Sequence, residues 1–118
     1  MDELLKRAFD IADRMEILSN QKIILKEEFN QNLQYYTQGG SFTASKELMV
    51  FVKSLIDLNN ISDVVLIDKN DTPIRIEDMK QFLEEITNCY FSAANEYYTK
   101  YTQLISQRSV EKLVLGNE

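Results

Sequence analysis

The side chains with chemical reach in this chain are one thiol, six tyrosines and several groups of carboxylates; histidine is absent. Without histidine there is no imidazole acid–base catalysis, no Ser-His or Cys-His nucleophile pair and no His-containing metal site. Cys89 falls beside an apolar stripe with no basic neighbour to lower its pKa, so it reads as a buried, inert thiol. Being single, it excludes an intramolecular disulfide and makes no demand on an oxidising compartment. Asp68-Lys69-Asn70-Asp71 suggests a calcium loop, but such a loop needs glycine at its sixth position and glutamate at its twelfth. Here Pro73 and Met79 stand there, and a hairpin turn is the better reading. Gly39-Gly40-Ser41 lacks both the Gly-Lys-Ser/Thr continuation and the preceding strand of a phosphate loop. The chain is therefore expected to have no catalytic residue, no metal and no cofactor, and not to be an enzyme.

The remaining groups suit binding. Tyr35, Tyr36, Tyr90, Tyr97, Tyr98 and Tyr101 all fall on two long predicted helices and cannot share one buried stripe. Tyrosine joins a large apolar body to a polar tip, which favours interfaces. Tyr35 and Tyr98 are the expected partner-facing pair. Glu84, Glu85 and Glu96 add an acidic face to the second long helix, suited to a basic partner or to solvent.

The element that must position these groups is the run from Glu77 to Gln107. Met79, Phe82, Leu83, Ile86, Cys89, Tyr90, Ala93, Tyr97, Tyr101 and Leu104 recur at steps of three and four, and no proline or glycine interrupts them. A helix over about 77–107 needs a partner of similar length, and residues 2–38 supply one. Their stripe runs Leu4, Ala8, Ile11, Met15, Leu18, Leu25, Phe29 and Tyr36, with Lys22 and Asn32 as polar breaks able to set register in a coiled coil. Gly39-Gly40 is expected to stop that first helix. A second helix over about 43–58 is apolar around most of its circumference and is expected to be the most buried; Asn59-Asn60 ends it. Val64–Ile67 and Pro73–Ile76 flank a dense turn signal and predict a β-hairpin over about 64–76. Ser109 and Gly116 bracket a short helix over about 109–115.

The fold expected is thus mainly α with minor β: long antiparallel helices, one shorter buried helix and a small hairpin, all in a single domain of 118 residues. The net charge of −6, with basic residues scattered, argues against direct nucleic-acid binding. No apolar run reaches membrane-spanning length, and MDELLKRAF lacks a signal-peptide core, so no membrane association is expected.

Three stretches, YYTQGGSFTASKELMVFVKSLI, VLIDKNDTPIRIEDMKQFLEEI and YFSAANEYYTKYTQLISQRSVEKL, resemble small proteins of T-even-like contractile-tailed phages, particularly those of cyanobacteria. The resemblance covers most of the chain and implies a viral setting, in the host cytoplasm or the virion, but transfers no functional residue. The function expected is a non-enzymatic protein-binding module, structural, scaffolding or chaperoning in assembly, with a protein partner and homo-oligomerisation through helix faces. Two alternatives stand beside it: an acidic inhibitor of a host nucleic-acid-binding enzyme, and a small-ligand (nucleotide) binder.

Overall fold

A computed structural model describes residues 2–116, with side chains through Gln107. The fold is mainly α with minor β. In chain order the elements are α1 (Glu3–Asn32), β1 (Gln34–Thr37), β2 (Gly40–Thr43), α2 (Lys46–Asp57), β3 (Ser62–Ile67), β4 (Pro73–Asp78) and α3 (Met79–Gly116). The strands form two separate two-stranded antiparallel sheets, β1–β2 and β3–β4. The chain divides into two compact units: residues 1–28 with 96–118, and residues 29–95. A 38-residue helix is about 57 Å long at 1.5 Å per residue, more than one small core can cover.

The first helix ends earlier than its apolar spacing predicts. Residues 34–43 leave the expected 2–38 helix and form a hairpin, pairing Tyr35 with Phe42 and Tyr36 with Ser41. Tyr-Tyr-Thr and Ser-Phe-Thr are strand-forming residues, and alternation sends Phe42 inward while Tyr36 faces solvent. Gln38 and Gly39 close the turn with φ of 50° and 81°, both in the left-handed region that a two-residue type I′ turn demands. Gly39 therefore serves a hairpin, not a helix stop. Gly40 is needed for space: a Cβ there would stand 2.6 Å from Ile74 Cγ1.

Ser45 caps α2, its Oγ accepting from the Leu48 N–H at 3.1 Å. At the other end Asn59, at φ 72°, donates to Ile56 O (2.9 Å), and Asn60 donates to Leu55 O (2.9 Å). That pair of bonds is a Schellman motif with Asn59 in the left-handed position. The helix is less enclosed than its composition suggests. Only Val52 is buried, Leu48, Met49, Leu55 and Ile56 are half-buried, and Val50, Phe51 and Leu58 are exposed.

The second hairpin spans residues 62–78, with Leu66 opposite Ile74 and Pro73 at the first position of β4, where its missing N–H costs least. Its inward residues Leu66, Ile74 and Ile76 join Phe42, Ala44 and Val52 against Met79, Phe82 and Ile86 of α3. This core makes two marginal hairpins stable. Glu77 and Asp78 close β4 instead of opening the helix expected from residue 77. Asp78 Oδ1 then caps α3 by accepting from the N–H groups of Lys80 and Gln81, each at 3.1 Å. No glycine or proline follows until Gly116, so the expected short helix over 109–115 is the continuation of α3.

Candidate partner-binding surface

Within the unit formed by residues 29–95, Tyr35 and Glu85 are brought together. The Tyr35 ring lies 6.3 Å from the Phe82 ring, and its hydroxyl donates to the Glu85 carboxylate. Burial, and next the adjacent Glu85 carboxylate, hold the Tyr35 phenol above its ordinary pKa. Gln81 Nε2 donates to the other Glu85 oxygen at 3.1 Å. Both groups are thus engaged in fixing β1 to α3, while Glu84, one residue earlier, is exposed. Cys89 is half-buried, its Sγ 3.5 Å from the carbonyl of Asn32, and burial pushes the thiol pKa up.

Asp68 organises the meeting of the two hairpin turns. Its Oδ2 accepts from the Ser41 N–H (3.0 Å), and its Oδ1 from the N–H groups of Asn70 and Thr72 (2.9 Å each). These backbone donors, Ser41 first, hold the carboxyl below its ordinary pKa. The sequence stretch that suggests a calcium loop is thus a turn whose buried carboxylate caps backbone amides. Among the described residues no three Cys, Asp or Glu side chains converge to hold a metal ion.

Within the unit formed by residues 1–28 and 96–118, Lys100 bridges Glu28 and Glu96, the latter at 3.0 Å. Those carboxylates, Glu28 first, raise the lysine pKa. Lys22 sits 5.7 Å from the centre of the Tyr101 ring, so this polar break in the α1 stripe meets an aromatic face of its own chain. Tyr98 stands apart from these pairings at 70% exposure.

The largest unpaired feature was missed by reasoning from single residues. Among its described residues α1 has none that is buried, although the helix is 30 residues long. Leu4, Leu5, Phe9, Ile11, Met15, Ile17, Ile23 and Ile24 are all exposed, Leu4 at 74% and Met15 at 67%. The sequence carries a signal for it: Leu5, Phe9, Ile17, Ile23 and Ile24 widen the α1 stripe beyond what a single neighbour covers. Scattered exposed leucines are ordinary; eight large apolar side chains exposed on one helix are a candidate interaction surface.

No protein-family model, curated protein or solved structure matches the chain. Among the described residues no helix is long and apolar enough to cross a membrane.

Proposed function

We propose that the chain is a non-enzymatic protein-binding module of a contractile-tailed phage, a structural, scaffolding or assembly-chaperone component that self-associates through its helix faces. The observation that carries this reading is α1, a 30-residue helix with no buried residue among those described and eight exposed large apolar side chains. Most helical stability in proteins comes from packing an apolar face. The viral setting, in host cytoplasm or virion, rests on the resemblance of the three stretches quoted above. The two long helices run antiparallel in this reading: Lys22 faces Tyr101 while Glu28 faces Lys100, and separately Phe29 faces Tyr90 while Asn32 faces Cys89.

The acidic-inhibitor alternative has less behind it, because Glu85 and Glu96 are engaged by Tyr35 and Lys100 of the same chain. Hydrogen exchange at two protein concentrations tests the main reading. Amides of residues 4–24 gain protection at the higher concentration if α1 docks on another chain. Protection that does not change with concentration contradicts self-association through α1.

A further inference from the structure

The two hairpin turns of the 29–95 unit flank a cleft of about 420 Å³. That lies within the range of small-molecule sites, roughly 300–1,000 Å³. Residues 36–41 of the first hairpin form one wall, and Asp68, Asn70 and Thr72 of the second form the other. Bonds across the hairpins tie the walls together: Lys69 N–H donates to Ser41 O (2.9 Å) and Ser41 N–H to Asp68 Oδ2 (3.0 Å). The cleft is therefore preformed, and a ligand enters it without ordering a loop. None of the lining residues is basic and Asp68 is a carboxylate, so an anionic ligand meets repulsion with no counter-charge. A metal ion is served no better, because among the described residues no three Cys, Asp or Glu side chains converge.

We infer that this cleft binds a neutral sugar. The side chains of Ser41, Thr72, Gln38 and Asn70 line it, and each can both donate and accept a hydrogen bond, as every sugar hydroxyl does. Ser41 is 8% exposed and its Oγ is buried without a hydrogen-bond partner, which leaves a polar group unsatisfied in the wall. Asp68 Oδ2 accepts one N–H where Oδ1 accepts two, so the carboxylate keeps capacity for a ligand hydroxyl. Tyr36 also lines the cleft and is 71% exposed, an aromatic face on which the apolar C–H face of a sugar ring can stack. A nucleotide fits these walls poorly, since its phosphates would find no cation there. The site uses no residue of α1 and stands or falls independently of the protein-binding reading.

Two-dimensional NMR of the full chain, titrated separately with glucose, galactose and glucose 6-phosphate, tests the inference. The expected result is saturable movement of the Gly39, Ser41 and Asn70 amides with glucose or galactose. Its Kd should be on the order of 1 mM, ordinary for a ligand of about a dozen heavy atoms. Glucose 6-phosphate should bind more weakly than glucose. Tyr36→Ala removes an exposed ring and disturbs no core; it should weaken sugar binding about fivefold, the worth of one aromatic contact. Asn70→Ala should weaken it as well, while Tyr98→Ala, an equally exposed tyrosine on α3, should leave it unchanged. The amide spectrum of each variant verifies its fold. Cleft amides that stay still with both neutral sugars would overturn the site. So would tighter binding of glucose 6-phosphate than of glucose, or an affinity that neither Tyr36→Ala nor Asn70→Ala changes.

Discussion

Tyr35, expected on a helix face, lies half-buried on β1 with its hydroxyl bonded within the chain. A tyrosine at a helix surface would present its hydroxyl outward; on β1 it turns toward α3 and donates to Glu85. Replacing it by phenylalanine keeps the ring against Phe82 and removes one half-buried hydrogen bond, at a cost of about 1 kcal/mol in urea unfolding. The phenol pKa is raised in the folded state, so its contribution is fully present below the ordinary value near 10. That contribution is lost as pH rises through the folded value, and the alkaline loss should be smaller in Tyr35→Phe. Gly40 supplies a second prediction at this scale. Gly40→Ala forces a methyl group to 2.6 Å from Ile74 Cγ1 and should destabilise by ~1–3 kcal/mol. Gly39→Ala meets no atom within 4 Å and should cost only the ~1 kcal/mol of backbone strain at φ 81°. Thermal melts that rank Gly39→Ala as the more damaging would contradict the close packing of the two hairpins.

At the level of elements, legibility followed the strength of local signals. The α3 stripe could be read because Met79, Phe82, Ile86 and Ala93 recur at helical spacing without a breaker, and all four are buried. The second hairpin was equally plain, since β-branched runs flank a dense turn. The first hairpin was not: Gln-Gly is a weaker turn signal than Asn-Gly, and Leu33 and Tyr36 fall in register with the preceding helix. Two glycines then looked like a helix stop when one sets a turn and the other makes room for Ile74. Of the expected binding residues, Tyr35 and Glu85 meet each other, Glu96 is paired with Lys100, and Tyr98 and Glu84 remain outward. Spacing places a residue on a helix; it does not show which neighbours a strand will bring to it. The α2 terminus gives this scale its prediction. Asn59 carries φ 72° in a Schellman motif, so Asn59→Gly should raise stability by about 0.5–1 kcal/mol, read as a higher melting temperature. A lower one would mean that the Asn59 side chain contributes more than its backbone strain costs.

For the whole molecule, the contrast between the two units carries the functional account. Residues 29–95 enclose a core of Val52, Ile76, Met79 and Ile86, whereas α1 offers water a row of large apolar side chains along residues 4–24. A chain of 118 residues with that much unburied apolar helix is expected to finish its packing against another protein. Because the α1 face is apolar, that association should resist salt, which screens charge pairs and leaves apolar burial intact or strengthened. The most direct measurement is the mass in solution by light scattering, across a range of protein and salt concentrations. The account predicts a dimer or larger assembly that persists as salt rises. A monomer under all conditions, or an assembly that dissolves as salt is added, would contradict it.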